Sequence, residues 1–377
     1  MNFLLVIFVG IVIRIIAILI SPEIADVKNF HLAGELFLKT GSIYQYTQGL
    51  NPYPPLWIFY EAFSAFLSKY LNFPFVYIEK LPILLSDIGI FYLLGKLTKD
   101  KGSFVFYLFN PVVIFTGSIL GQFDPIVIFF LFLAYVFFIK KKSLVRSGFF
   151  LSLSICLKTY PIIMVPLFLS KINRLKGKII FTFSSLALFV FITIHPLLTD
   201  FKNIQETYLG YKGAADFGWL GSIKTISALI SGTSINFTPI NNNLSFFLDI
   251  SKYCFIIFYL ILLQKNIKVK KNLLHMIVQT FLLFYIIIGG VGVQYFFWII
   301  PFLLIYDKKQ IKIYSVLSSL AMIGYVGVQF YYPILRYYNL FIFKNPFYLN
   351  FIYLLVITVF WIYLIALFFY LCRTSAK

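Results

Sequence analysis

The stretch FLLVIFVGIVIRIIAILI (residues 3–20) runs directly into SPEIADVKNF (residues 21–30). The first eighteen residues carry a single charge, Arg14, and are nearly long enough to cross about 30 Å of hydrocarbon as a helix. A glutamate and an aspartate then follow within six residues. Two readings compete: polar residues that simply end a helix, or a carboxylate, Asp26, delivered to the membrane surface for a purpose. The rest of the chain bears on the choice.

Runs at 179–194 and 351–371 repeat the opening pattern, and they are continuous rather than alternating. Only helices and closed barrels satisfy the backbone in lipid, and continuous runs select helices. Across 377 residues the chain is 61% hydrophobic and 21% aromatic, far outside the range of soluble domains. The composition predicts an all-α polytopic membrane protein, a single membrane domain over 1–377. No small-residue cleavage site follows residue 20, so the first run reads as a retained helix and not a signal peptide.

A formal charge of +19 would suggest nucleic acid in a soluble protein. Here the lysines and arginines sit in short clusters between apolar runs: KLTKDK (96–101), KKKSLVR (140–146), KINRLKGK (171–178), KNIKVKK (265–271), DKKQIK (307–312) and CRTSAK (372–377). Such clusters report topology. Placing all six in the cytoplasm, with both termini, gives crossings at 3–20, 78–95, 104–118, 122–139, 179–195, 244–264, 273–290, 293–306, 313–330 and 347–371. That is about ten full transmembrane helices. The stretch 147–169 begins and ends at basic clusters, and Pro161 interrupts it, so it reads as a broken hairpin with its break near Lys158. The region 21–77 becomes a long extracytoplasmic loop with interfacial helices at 27–41 and 56–73, joined by NPYPPL. Cys156, Cys254 and Cys372 have neither metal nor redox spacing.

Charges inside apolar segments cost about 2.5–3.5 kcal/mol each on insertion scales, so each needs a partner, a cavity or a role. Asp26, Lys80, Asp87, Asp124, Lys158 and His195 are the candidates. Most approach the outer side of the expected topology or the protein interior, which predicts a polar cavity opening outward. Each also has a plain structural reading: Lys80 and Asp87 lie two helical turns apart and engage neighbouring helices equally well, and His195 closes a helix before Pro196. Phosphate loops, dinucleotide-binding glycine runs and zinc signatures are missing from the sequence.

In chain order, Asp26 is followed by YPPL (Tyr53, Pro54, Pro55, Leu56), K-x-P-x-x-x-x-D (Lys80, Pro82, Asp87), FNP (109–111), GQFD (121–124), K-x-x-P (Lys158, Pro161) and VQYFFWIIP (293–301). This ordered set resembles the GT-C membrane glycosyltransferases that use polyprenyl- or dolichyl-phosphate sugars. The resemblance covers residues 1–170 best and returns near 290–305, and the chain lacks the D-x-D pair and soluble C-terminal domain of oligosaccharyltransferases. It implies a catalytic module over 1–196 and a variable helical part over 197–377. It implies an inverting hexosyltransferase, with mannose or glucose as the sugar, acting on a glycan, glycolipid or lipid-linked acceptor at the extracytoplasmic face. Asp26 would be the general base. Lys80 and Lys158 would hold the donor phosphate. Tyr53, Asp87, Gln122, Asp124, His195, Gln294, Tyr295 and Trp298 would line the substrate site. No cofactor and no metal are expected, and the Lys/Ile/Phe-rich composition favours a prokaryotic cell membrane. A secondary transporter or lipid flippase is the rival reading, since broken helices and intramembrane charges suit that class as well. A structural subunit without activity is a third.

Overall fold

The computed structural model describes residues 3–21, 23–45, 52–98, 101–210, 213, 215–232, 242–328 and 346–373. Parts of the 96–101 and 372–377 clusters, of the NPYPPL turn, of the loop expected over 197–243 and of the expected crossing 313–330 lie outside them. Two compact units form, 1–211 and 212–377.

In the first unit α1 (Phe3–Ile20), α2 (Ala25–Thr40), α3 (Pro55–Leu71), α4 (Phe75–Leu97) and α5 (Lys101–Leu108) precede a short α6 (Pro111–Ile114). A π turn over Phe115–Ile119 leads to α7 (Asp124–Ile139), and then come α8 (Leu144–Leu157), a 3-10 turn (Tyr160–Met164), α9 (Val165–Leu169), α10 (Leu175–Thr199) and α11 (Phe201–Gly210). α8 packs between α7 and α10, and α2 lies along α3. That last approach is close. A Cβ on Gly34 would stand 2.5 Å from the Glu61 carbonyl oxygen, so the two helices meet backbone to backbone. An aromatic core binds the bends of this unit: Trp57 stacks on Phe123 with ring centroids 3.9 Å apart, and Phe30 meets both rings edge-on. Edge-to-face and offset packing is the arrangement aromatic quadrupoles favour.

The second unit holds α12 (Gly218–Ser231), α13 (Asn242–Lys268), α14 (Leu273–Ile287), a 3-10 turn (Val293–Phe297), α15 (Ile300–Tyr306), α16 (Lys308–Val326) and α17 (Pro346–Arg373). α17 packs against α12, α14 and α16. Between α14 and α15 the chain leaves the helical path for about ten residues, and its backbone groups need partners in an apolar setting. Side chains supply them. Trp219 Nε1 donates to the Ile287 carbonyl at 3.0 Å, Trp361 Nε1 to Ile286 at 3.3 Å, Tyr285 to Tyr295 at 2.6 Å and Tyr314 to Phe296 at 2.8 Å. The amides of Asp216 and Phe217 both donate to the Val291 carbonyl.

The expectation of about ten full crossings is overturned. Among the described residues three helices are long and apolar enough to cross a membrane: Leu175–Thr199, Phe246–Lys268 and Phe347–Arg373. Counting each bent pair as one span adds Leu4–Ile20 with Ala25–Thr40, bent by 74°, and Pro111–Ile119 with Asp124–Ile139, bent by 120°, which makes five at most. The reason is local chemistry. Asn110 ends α5 and caps α6, its side chain accepting from the Val112 amide, and Pro111 follows at the first helical position, where proline suits a helix start. Gly121, at φ 61°, breaks the chain again before α7. The pieces left, such as α8 at 14 residues and α14 at 15, fall short of the roughly 20 that a span needs. α4 has the length, at 23 residues, yet it carries Glu79, Lys80, Asp87 and Lys96 and is not among the candidate spans.

The three long helices still define a multi-pass membrane protein. Only 17% of the most apolar window of α10 is buried, and Phe183 and Phe191 stand 74% and 75% exposed along it. An apolar face of that extent is suited to lipid and not to water.

Candidate functional site

The polar residues of the first unit gather where its two bent helix pairs turn. Lys80, from the first turns of α4, is fully buried and reaches across both bends. Its Nζ donates to Ser21 Oγ at 2.6 Å, to the Ser118 carbonyl at 3.2 Å and to the Ile119 carbonyl at 3.1 Å. Three N–H groups thus meet three acceptors, the whole donor capacity of an ammonium. The carbonyls are available because the π turn has interrupted the α-helical ladder: the Leu120 amide bonds back to Phe115 and the Gln122 amide to Thr116. Single π turns inside helices are frequent at functional sites.

Gly121 closes this turn in the left-handed region. A Cβ there would stand 2.8 Å from Lys80 Cε, 2.9 Å from Val27 Cγ2 and 3.4 Å from Glu79 Oε2. Gly121→Ala is therefore expected to destabilise the chain by about 2–3 kcal/mol, from the left-handed penalty and overpacking together. Unfolding of the purified protein in a denaturing-detergent titration measures this. A loss below about 0.5 kcal/mol would mean that the turn rearranges freely.

Asp26, in the first turn of α2, is exposed, and its Oδ2 accepts from Nε2 of the buried Gln122. Among the described residues the amide oxygen of Gln122 is buried without a hydrogen-bond partner, as are both carboxyl oxygens of Glu79, whose side chain is fully enclosed. Exposed Glu23 lies near enough to act electrostatically on both Glu79 and Lys80. The result is one buried, fully bonded ammonium surrounded by acceptor oxygens that await donors. Uncompensated acceptors of this kind are rare in folded proteins, and each costs about 1–3 kcal/mol.

One residue beyond Gln122 and Phe123, Asp124 opens α7 with its carboxylate 0% exposed. Lys158 Nζ donates to its Oδ2 at 2.8 Å and stands 4.5 Å above the Phe123 ring and 5.1 Å above that of Tyr53. Lys158 is the residue at which α8 ends, in extended geometry at φ −140°. The break thus turns its side chain toward α7.

The remaining residues singled out from the sequence lie elsewhere. Asp87 is bound in the interior to Arg14 Nε and, at 2.7 Å, to the Tyr107 hydroxyl. His195 is exposed at the rim of a pocket of about 360 Å³ lined by 40–45, Thr199, Asp200 and Asn203. Tyr44, in that pocket wall, shares a 2.8 Å hydrogen bond with Tyr208, and burial pushes both phenols well up from their ordinary range. Gln294, Tyr295 and Trp298 belong to the second unit, where the rings of Tyr295 and Trp298 stack on each other, 4.1 Å apart, and are buried. Glu79, Gly121 and Ser21 were not singled out. Glu79 stands beside Lys80 in EKLP, and the doublet of opposite charges in an apolar run was the signal available.

No protein-family model matches the chain, and no curated protein matches it. Together with the count of three to five candidate spans, this overturns the resemblance to the GT-C glycosyltransferases. The hexosyltransferase activity, its polyprenyl- or dolichyl-phosphate sugar donor and its glycan acceptor were implied by that resemblance and fall with it. Among the described residues no group of three or more His, Cys, Asp or Glu side chains is placed to hold a metal ion.

Proposed function

We propose that the first unit binds a small solute bearing ammonium or hydroxyl groups, held at the paired helix bends by Asp26, Gln122 and Glu79. The observation that carries this reading is the set of buried acceptors without partners, Glu79 Oε1 and Oε2 and Gln122 Oε1, behind an exposed carboxylate that already engages Gln122. A ligand with several donors satisfies them together. The exposed carboxylates of Glu23 and Asp26 outnumber the one ammonium of Lys80, which favours cationic over anionic solutes. Lys80 acts here as the pin that fixes the bends, Asp124 and Lys158 hold the adjoining wall with Tyr53, and His195 belongs to a separate pocket.

The test is the thermal stability of the purified chain in lipid nanodiscs with ethanolamine, ethylenediamine, glycerol and a hexose, for wild type and Asp26→Asn. Saturable stabilisation by an amine or polyol that Asp26→Asn weakens at least tenfold supports the reading. No stabilisation by any of the four, or stabilisation equal in both proteins, overturns it.

We place the chain in a prokaryotic cell membrane, which its Lys/Ile/Phe-rich composition favours, with the start of α10 and the end of α13 in the cytoplasm, because the basic clusters 171–178 and 265–271 flank them. Cysteine introduced in either cluster should react with a membrane-impermeant maleimide only after the cells are opened. Labelling of intact cells would reverse the orientation.

A further inference from the structure

The pocket with His195 at its rim is built from residues that the site at the bends does not use. It forms where the turn after α2 meets the end of α10 and the start of α11, and its volume is about 360 Å³. A cavity of that size suits a small ligand or a lipid head group. α10 is one of the three long apolar helices, and the basic cluster 171–178 lies at its start. The pocket is at its other end, at the level of the opposite membrane surface. Leu198 and Phe201, close to Asp200 in the chain, are 81% and 63% exposed. Lipid-facing apolar side chains thus border a polar pocket.

Asp200 is the one Asp, Glu, Lys or Arg side chain among the described lining residues. Its Oδ1 accepts from Nδ2 of Asn203. Its Oδ2 is buried with no hydrogen-bond partner among the described residues. An aspartate between two helices has an ordinary role, as the N-cap of the second, where its side chain accepts a backbone N–H two or three residues on. The Asp200 carbonyl does accept from the Ile204 amide at 3.1 Å, as the first bond of α11. The carboxylate, however, holds a side-chain amide instead of a helix N–H, and half of it holds nothing. The C-terminal end of α10 favours a cation there and the N-terminal end of α11 an anion, so the two offset each other and the carboxylate sets the sign.

The neighbours add acceptors. Thr40 Oγ1 donates to the Leu36 carbonyl at 2.8 Å and Thr199 Oγ1 to the His195 carbonyl at 3.0 Å. Each hydroxyl has spent its one hydrogen and has lone pairs left to offer. A negative charge among acceptors calls for a ligand that is positive and carries several N–H groups, which describes a primary ammonium. A quaternary ammonium has no N–H to give and is recognised by cages of aromatic faces. Tyr44 is the one Phe, Tyr or Trp among the described lining residues, and it is itself buried, with its hydroxyl bound to the Tyr53 carbonyl and to Tyr208.

We propose that this pocket binds a primary ammonium group, with Asp200 as its counter-ion. Its level at the membrane surface makes the ethanolamine head group of a phospholipid the expected source. A free small amine shares the chemistry, and the experiment separates the two.

The full chain, purified in a neutral detergent, is titrated with phosphatidylethanolamine and with its fully N-methylated counterpart, phosphatidylcholine, and bound lipids are counted by native mass spectrometry. Binding of soluble ethanolamine is followed by thermal unfolding. Asp200→Asn keeps the oxygen that accepts from Asn203 and removes the charge, and Asp200→Glu keeps the charge. Glu206→Gln removes the same charge from an exposed position of α11 outside the pocket. The expected result is one tightly bound phosphatidylethanolamine, weakened about thirtyfold by Asp200→Asn and unchanged by Glu206→Gln, with phosphatidylcholine at least about tenfold weaker. Asp200→Glu should restore most of the binding. Stabilisation by ethanolamine that Asp200→Asn removes, without preference between the two lipids, would assign the site to the free amine. Equal loss in Asp200→Asn and Glu206→Gln, or binding of neither phosphatidylethanolamine nor ethanolamine, would overturn the proposal.

Discussion

Arg14→Leu is expected to cost about 3–5 kcal/mol of stability, because it leaves the Asp87 carboxylate buried without its cation. Arg14 is 1% exposed and Asp87 3%. The guanidinium contacts Asp87 through Nε and donates from Nη1 to the carbonyls of Gly10 and Leu108. After the substitution the carboxylate keeps, among the described residues, the Tyr107 hydroxyl alone, one neutral donor. The converse change, Asp87→Leu, leaves an arginine that still has two carbonyl acceptors, and its expected cost is smaller, about 2–3 kcal/mol. The double variant Arg14→Leu/Asp87→Leu removes both charges, and its cost should fall below that of either single change, since a buried pair contributes little against an apolar replacement of similar volume. A double-mutant cycle from unfolding titrations measures the coupling directly. Additive costs would show that the two side chains do not act as a pair.

That pair marks how far the sequence could be read. Arg14 was visible as the one charge in the first apolar run, and Asp87 as a charge well inside another, yet nothing in a linear pattern says that α1 and α4 set them side by side. The bends were more legible. SPE after Ile20, GQFDP before α7 and the proline at 161 are local signals, and the chain turns at each. Gln122 and Asp26, 96 residues apart, meet because two of those turns meet. What failed was the conversion of apolar runs into spans. Residues 104–118 look continuous by composition, but Asn110 with Pro111 splits them into α5 and α6, and the π turn then bends the rest by 120° toward α7. Residues 273–290 end early because the chain unwinds at Ile288 and fastens its last helical carbonyls to the side chains of Trp219 and Trp361 from elsewhere in the unit. Those donors lie scores of residues away, so a window of eighteen residues could not see them. The phosphate roles implied for Lys80 and Lys158 rested on the same linear view. In the folded chain Lys80 spends its three hydrogens on the bends, and Lys158 faces Asp124.

Lys158→Met tests how much the wall of the site depends on that last contact, and its expected cost is also about 3–5 kcal/mol. Methionine fills much of the space of the lysine stem, so packing against Phe123 and Tyr53 survives and the loss isolates the charge. What remains is Asp124, with its carboxylate 0% exposed at the start of α7. One effect softens the penalty: the helix N-terminus favours a negative charge by up to about 2 kcal/mol in partly buried settings. It does not replace a 2.8 Å charge-assisted hydrogen bond in a site closed to water. The reverse variant, Asp124→Asn, should be milder. Its amide oxygen still accepts from the ammonium, and the ammonium keeps the faces of two rings, an interaction of about 0.5–2 kcal/mol. The order of the two losses is therefore the informative quantity. Lys158→Met costing more than Asp124→Asn means that the cation is present to hold the carboxylate at the head of α7. The opposite order would mean that Asp124 is there to hold Lys158 over the rings, and the lysine would then be the group presented to a ligand. Unfolding titrations of the two variants in the same detergent decide between them.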